Sequence, residues 1–140
     1  MIVLDTNVLS EVFRPRPAEA VVEWMRSQAA ENLFTTTVCE AEILFGLELM
    51  PAGKRRAALQ AALAMFFERD FADRVLPFDR AAAKSFAGIA ASRRASGNPL
   101  SAHAAQTAAI AHSCRATLAT RNVADFAECG ISILNPWDTR

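Results

Sequence analysis

The stretch that decides the fold is MIVLDTNVLSE at residues 1–11, where an apolar run ends in an acid. Four apolar residues followed directly by Asp5 are typical of a buried strand that opens into a loop. Residues 7–13 then predict a short helix, which the prolines at 15 and 17 end. In a parallel α/β sheet, ligands gather at the carboxyl ends of the strands, so a carboxylate at Asp5 faces a crevice. Asp5 could equally be the N-cap of the helix, and both interpretations stay open.

Strand-like and helix-like segments alternate along the rest of the chain. Strand candidates lie at 33–37, 74–78, 116–120 and 131–134, and helix candidates at 18–30, 38–50, 54–70, 79–95 and 100–114. This alternation predicts an α/β fold, with a parallel sheet of about five strands and helices on both faces. The 140 residues fit a single domain, 1–140, and 52% of them are apolar, which is enough for a sizeable core.

The composition limits the class of protein. Lys plus Arg and Asp plus Glu number 15 each, so a contact with nucleic acid would need a local patch rather than a basic surplus. The same balance also fits an ordinary soluble protein. The cysteines number three and form no CxxC pair, which argues against a disulfide scaffold and predicts reduced thiols in a cytoplasm. We see no signal peptide and no apolar run of membrane-spanning length.

Glu42 is the most informative acid in the middle of the chain. On the helix predicted over 38–50, Val38, Ala41, Phe45 and Leu49 fall on one stripe at helical spacing. Glu42 is therefore predicted to lie within the apolar face of this helix. Glutamate is seldom buried without a partner, because removing its charge from water is costly. The alternative to a functional role is a salt bridge with a neighbouring arginine.

A third polar cluster, TRNVAD at residues 120–125, follows the fourth predicted strand directly. Asn122 and Asp125 could both face the crevice that Asp5 faces, although Asp125 could equally cap the next short turn. The three clusters together place oxygen ligands at one end of the sheet. Hard cations such as Mg²⁺ or Mn²⁺ require oxygen ligands, so the predicted chemistry is metal-assisted hydrolysis of a phosphodiester.

The histidines and the basic runs give weaker evidence of a functional site. His103 and His112 are nine residues apart on one predicted helix, so they fall on opposite faces and are interpreted as ordinary helical histidines. The basic runs Arg93-Arg94 and 54–56 are interpreted as solvated faces, or at most as a weak phosphate-binding patch. No Walker A motif or GxGxxG motif is present.

Four segments together resemble the PIN domain, and specifically toxins of the VapC/FitB type. They are MIVLDTNVLSE, TTTVCEAEILFGLELMPAGKRR, AAQTAAIAHSCRATLATRNVADF and ISILNPWD, which together span nearly the whole chain. The resemblance implies a three-layer α/β/α sandwich and a cluster of acids that binds Mg²⁺ or Mn²⁺ and cleaves RNA. It also implies an antitoxin partner with a DNA-binding end and an inhibitory tail, and we expect a homodimer or a toxin–antitoxin hetero-oligomer.

By this resemblance Asp5 is the first acid of the family and Glu42 is the second. The third acid normally opens the helix that here reads AAQTAAIA, where the family pattern is DAQIAAIA, so its position is Ala104. The fourth position falls at Asn122, with Asp125 as a substitute. The resemblance also implies that three neighbours orient the carboxylates or contact phosphate: Thr6, Asn7 and Thr120.

Ala104 bears directly on whether this chain is catalytic. An alanine in an otherwise intact motif marks either a naturally inactive relative or a deliberate knock-out of a harmful toxin. The first hypothesis is therefore a toxin endoribonuclease, weakened or inactivated at Ala104. The second is a non-catalytic binding module on a PIN scaffold. A phosphatase of the haloacid-dehalogenase type is disfavoured, because that family needs a second acid where this chain has Asn7.

Overall fold

The computed structural model describes residues 1–138. Its strands are Ile2–Leu4 (β1), Leu33–Thr36 (β2), Val75–Leu76 (β3), Thr117–Ala119 (β4) and Ser132–Leu134 (β5). Its α-helices are Thr6–Val12 (α1), Glu19–Ser27 (α2), Thr37–Leu49 (α3), Lys54–Met65 (α4), Arg80–Ala95 (α5) and Ala102–Ser113 (α6). Short 3₁₀ helices cover Ala30–Asn32 and Ala124–Phe126, and a π-helical turn covers Phe66–Asp70.

The five strands form one parallel sheet in the order β3-β2-β1-β4-β5. In the central strand β1, Val3 pairs with Phe34 of β2 and with Leu118 of β4. The chain runs outward from β1 to β3 and then crosses to the other side of β1 for β4 and β5. This reversal opens a crevice at the carboxyl ends of β1 and β4, which is where open α/β sheets bind ligands. The predicted parallel sheet is confirmed.

Each face of the sheet carries its own apolar core, because successive side chains of a strand point to opposite faces. Leu4 and Leu33 face the core formed with α1, α2, α3 and α4. Val3 and Leu118 face the core formed with α5 and α6. The predicted three-layer sandwich is therefore confirmed. Within residues 1–138, the helices lack the combination of length and apolar character that would let one cross a membrane.

The helix predicted over 54–70 ends earlier than expected. Lys54–Met65 is α-helical, and the chain then widens into the π-helical turn Phe66–Asp70. Phe66 stacks on Phe71 with ring centroids 4.2 Å apart, and it meets Phe67 edge to face at 5.0 Å. A wider turn thus accompanies the burial of three neighbouring aromatic rings in one core, which regular helical spacing does not indicate.

The prediction that the Phe45 stripe of α3 is buried is wrong. Phe45 is 65% exposed and Leu49 is 69% exposed, whereas Cys39 and Leu47 form the buried side of the helix. The physical reason is that α3 is apolar on two sides, so helical periodicity fits two different faces. Contacts with the rest of the chain decide which face is buried. Glu42 lies between the two faces and is half-buried.

A candidate active site at the carboxyl ends of β1 and β4

A cavity of about 690 Å³ lies at the crevice where the sheet topology reverses. Side chains from α1, α3, α6 and the loop after β4 form its walls. The sequence-predicted site residues that line it are Asp5, Thr6, Asn7, Glu42, Ala104, Asn122 and Asp125. Thr120 is fully buried beside them and donates a hydrogen bond to Asp5. The residues singled out along the sequence therefore meet in one place.

Asp5 is held by hydrogen bonds to both of its carboxylate oxygens, and it is only 8% exposed. Oδ1 accepts from the backbone N–H of Thr6 at 2.8 Å, and Oδ2 accepts from the Thr120 hydroxyl at 2.8 Å. The Asn7 side-chain amide donates to Thr120 at 3.1 Å and to Asp5 Oδ2 at 3.4 Å. Asp5 thus does both things that its position suggested, because it caps α1 and also lines the cavity.

The electrostatics of Asp5 favour a positive neighbour. Burial raises the pKa of the Asp5 carboxyl above its ordinary value, and the negative charge of Glu42 also raises it. The hydrogen bonds from Thr120 and Thr6 lower the pKa and so oppose the burial effect without cancelling it. The ionised carboxylate is therefore costly at this position. A cation in the cavity, or a basic side chain from a partner, would stabilise the ionised form.

Glu42 is joined to Asp5 through Thr6. The Thr6 hydroxyl donates to Glu42 Oε1 at 2.9 Å, while the Thr6 N–H donates to Asp5. On its other side, Glu42 Oε2 lies 3.4 Å from Nδ1 of His103. The alternative that Glu42 pairs with an arginine is wrong, because its neighbours are Thr6 and His103. We call Asp5 and Glu42, joined in this way through Thr6, the carboxylate pair.

His103 lies on α6 and its side chain is 64% exposed, as expected of an ordinary helical histidine, but it also lines the cavity. It lies in the first turn of α6, and its side chain reaches the carboxylate of Glu42. His112 lies elsewhere, with Nδ1 2.9 Å from the Ser85 hydroxyl oxygen, and does not join the site.

The loop after β4 forms another wall of the cavity. The side chains of Asn122 and Asp125 are exposed and line it. The alternative that Asp125 caps the short turn is wrong, because Asp125 lies inside the 3₁₀ helix and Val123 is its N-cap. Neither Asn122 nor Asp125 is in the hydrogen-bonded unit of Asp5 and Glu42.

Arg93 binds the backbone of this loop, although the basic run Arg93-Arg94 was interpreted as a solvated face. It is 3% exposed. Its guanidinium donates to the backbone carbonyls of Asn98 at 2.8 Å, Asp125 at 2.9 Å and Ala127 at 2.7 Å. The solvated interpretation is wrong because this arginine finds carbonyl groups in a loop that is distant in sequence.

Sequence reasoning missed one wall of the cavity. Ser10, Glu11 and Arg14 line it from α1 and the residues just after α1. They lie three, four and seven residues after Asn7, so helical spacing could have placed them on its side of α1. Glu11 is buried and accepts from the N–H of Ala18 at 2.8 Å, and its Oε1 lies 3.3 Å from Arg14.

The carboxylate pair alone does not make a complete metal centre. Within residues 1–138, no three His, Cys, Asp or Glu side chains are grouped so that they could hold a metal ion. Ala104 lines the same cavity as Asp5 and Glu42, in the first turn of α6. The donor set therefore has the oxygen chemistry that a hard cation needs, but lacks a third member.

Known proteins share this fold and sequence. The PIN domain family model matches residues 2–130. A VapC ribonuclease of Sinorhizobium fredii is 41% identical over 138 residues, which cover 99% of this chain and 99% of that protein. Toxin FitB of Neisseria gonorrhoeae is 36% identical over 137 residues, 98% of this chain and 99% of FitB.

Among solved structures, a FitAB complex bound to a DNA fragment contains a chain that superimposes with a TM-score of 0.94 at 34% identity. The match covers 100% of this chain and 98% of that one. Sequence, fold and the placement of the cavity thus agree. The chain belongs to the PIN-domain family, and within it groups with the proteins named VapC and FitB.

Proposed function

We propose that the chain is the toxin of a toxin–antitoxin pair, built as a metal-dependent endoribonuclease and left weak or inactive by Ala104. The observation that carries the proposal is the carboxylate pair in a cavity whose remaining wall has a methyl group at Ala104. The VapC relative that is 41% identical is named a ribonuclease, and the FitB relative is named a toxin.

The residues of the cavity divide the work as follows. Asp5 and Glu42 are proposed as two of the oxygen ligands of Mg²⁺ or Mn²⁺, and Thr6 fixes their spacing. Asn7 and Thr120 orient Asp5. The cation would activate a water and offset charge on the phosphate. Asn122 and Asp125 are proposed to complete the site, and a carboxylate at 104 is what this arrangement lacks.

The second candidate function is a binding module that keeps the partner surface and has lost catalysis. Ala104 is the observation that favours it. Titration of Mg²⁺ and Mn²⁺ into the chain, with an RNA cleavage assay beside it, separates the two functions. Metal-dependent cleavage supports the enzyme, whereas partner binding without cleavage, even after a carboxylate is restored at 104, supports the binding module.

An apolar groove beside the cavity supports the proposed antitoxin. The groove has a volume of about 630 Å³, lies between α1, α3 and α4, and shares Thr6 and Glu42 with the acidic cavity. Its apolar side chains include Phe13, Ile43 and Leu59. A partner segment with apolar side chains in the groove would bring a following Arg or Lys to the carboxylate pair, where it would neutralise the buried charge.

Filling this groove should block the antitoxin and leave the fold intact. Gly46 lines the groove, and a Cβ added there meets no heavy atom within 4 Å. We expect Gly46→Leu to weaken antitoxin binding at least about 30-fold, the effect of losing one strong interface contact. Helical stability should rise, because Gly disfavours a helix interior. Isothermal titration with the antitoxin from the neighbouring gene measures the change.

Gly88→Leu is the matched control for this substitution. Gly88 is also a helical glycine with open space at its Cβ position, but it lies on α5, away from the groove. We expect it to leave antitoxin affinity unchanged. Equal affinities in all three proteins would remove the groove as the binding surface. Failure of the neighbouring gene product to bind the unmodified chain would contradict the toxin–antitoxin proposal itself.

The opposite side of α3 supports the proposed homodimer. The exposed stripe that contains Phe45 and Leu49 is apolar, and the balanced charge of the chain gives two copies no net repulsion. We expect Phe45→Glu to weaken self-association at least about 30-fold. Light scattering over a concentration series measures it, with Ala87→Glu on exposed α5 surface as the charge control. A monomer in the unmodified chain at high concentration would contradict the dimer.

A further inference from the structure

A flat pair of side chains lies at the rim of the cavity and takes no part in the carboxylate network. The guanidinium carbon of Arg121 is 5.0 Å from the centroid of the Trp137 ring, which places the cation over the face of the indole. Arg121 and Trp137 both line the cavity that contains Asp5 and Glu42. Two planar groups, one aromatic and one cationic, therefore border the acidic pocket.

The Arg121 guanidinium forms no salt bridge with a carboxylate among residues 1–138. Among residues 1–138, no carboxylate oxygen lies within 4.0 Å of its side-chain nitrogens. Arg14, the other arginine of the cavity, is already paired with Glu11 at 3.3 Å. Arg121 thus provides a positive charge at the rim that remains available for a ligand.

Hydrogen bonds hold the backbone at both members of the pair. The N–H of Arg121 donates to Oδ1 of Asn7 at 3.2 Å, and the same asparagine contacts Asp5. The N–H of Trp137 donates to Oδ1 of Asn135 at 3.0 Å, and the indole packs partly against the core beneath α1 to α4. The fold therefore sets the backbone positions from which the two side chains extend to the cavity.

We propose that Arg121 and Trp137 form a stacking platform for one unpaired nucleobase of an RNA bound at the carboxylate pair. This inference rests on the proposed ribonuclease function and names the contact that its substrate makes. Every nucleobase has a π-face that stacks on an indole or on a guanidinium plane. A base stacked at the rim would place the adjoining phosphodiester near Asp5 and Glu42.

The charge balance favours such a contact. The chain has no basic surplus, and the cavity carries the acids Asp5, Glu42 and Asp125, which repel a phosphate backbone. Base stacking adds affinity that does not depend on overall charge, beside the local positive charge of Arg121. Stacking requires a base that is free of its partner strand, so the platform selects single-stranded RNA or a loop over a duplex.

Binding of a short single-stranded RNA to the full chain, with Mg²⁺ present, tests the platform. Trp24 is 6% exposed, whereas Trp137 is half-buried and lines the cavity, so a base that stacks on the pair should change the fluorescence of Trp137 by quenching it. We expect Trp137→Leu, which keeps apolar packing but has no π-face, to weaken RNA binding by about 5- to 150-fold. Trp137→Phe should restore most of the affinity. An abasic ribose-phosphate oligomer of equal length should bind all three forms equally.

Arg121 is tested separately. Arg121→Met should weaken binding of the RNA and remove part of its salt dependence, whereas Arg26→Met changes the net charge equally on exposed α2 surface and should have no effect. RNA binding without quenching, and with equal affinity in the unmodified chain and Trp137→Leu, would overturn the platform and leave the ribonuclease proposal standing. Absence of RNA binding and cleavage in every form, including one with a carboxylate at 104, would overturn both.

Discussion

Replacing Ala104 by Asp is expected to raise metal-dependent RNA cleavage by about 100- to 1,000-fold, which is the usual effect of one preorganised charged or hydrogen-bonding group in a transition state. The carboxylates of Asp5 and Glu42 already offer oxygen donors joined through Thr6, and position 104 lines the same cavity. A third acid would supply the missing negative charge. Metal binding should tighten less than cleavage accelerates, because Mg²⁺ is often held by only one or two carboxylates.

The same substitution should change the free energy of unfolding only slightly. Ala104 is the third residue of α6, and its N–H donates to the Ser101 hydroxyl that caps the helix. Aspartate is a poorer helix former than alanine, but in the first turn it interacts favourably with the helix dipole, by about 0.3–1 kcal/mol. Repulsion from Asp5 and Glu42 opposes this gain. With the two effects of similar size, we expect a net change near zero, and a bound cation would make it favourable.

Two control variants separate charge from shape and location. Ala104→Asn has nearly the shape of Asp without the charge, and we expect it to remain weak. Ala102→Asp adds the same charge in the same helical turn, at an exposed position that does not line the cavity. Activity is measured on single-stranded RNA with Mg²⁺ or Mn²⁺ and, in cells, by growth on expression. If Ala104→Asp and Ala102→Asp behave alike, position 104 has no catalytic role.

Much of the fold could be predicted because its signals are local. The alternation of short apolar runs with helical stretches predicts the parallel sheet that the structure contains. Periodicity failed on α3, because that helix is apolar on two sides. Choosing between the Phe45 side and the Cys39 side requires knowledge of where the sheet and α1 lie, and no local pattern contains it.

The candidate site likewise contains residues that a local signal predicts and residues that only long-range packing brings together. Asp5 and Thr120 could be placed because each directly follows a strand, and the carboxyl ends of parallel strands share one edge. His103 could not, because its contact with Glu42 depends on how α6 approaches α3. Arg121 and Trp137 approach each other across 16 residues, so neither suggested the other from sequence alone. Long-range packing thus decided which side chains surround the carboxylate pair.

The second large expected effect is a loss of stability on replacing Arg93. Replacing it by Met should lower the free energy of unfolding by about 3 kcal/mol, since hydrogen bonds to a charged group contribute about 1.5–3 kcal/mol each, and the relief of removing a buried charge offsets part of the loss. Met fills similar space but donates no hydrogen bond. The carbonyls of Asn98, Asp125 and Ala127 would lose their common donor. Urea unfolding measures the change.

The loss should also be visible locally, because Arg93 connects α5 to the loop that carries Asp125. Amide hydrogen exchange over residues 122–129 should accelerate in Arg93→Met well beyond the effect of global unfolding. Arg94→Met is the matched control, since Arg94 is the next residue, equally charged and exposed on the same last turn of α5. Its cost should stay within about 0.5 kcal/mol, as for an ordinary surface position. Similar costs for the two arginines, or unchanged exchange in the loop, would show that the buried guanidinium does not hold this wall of the cavity.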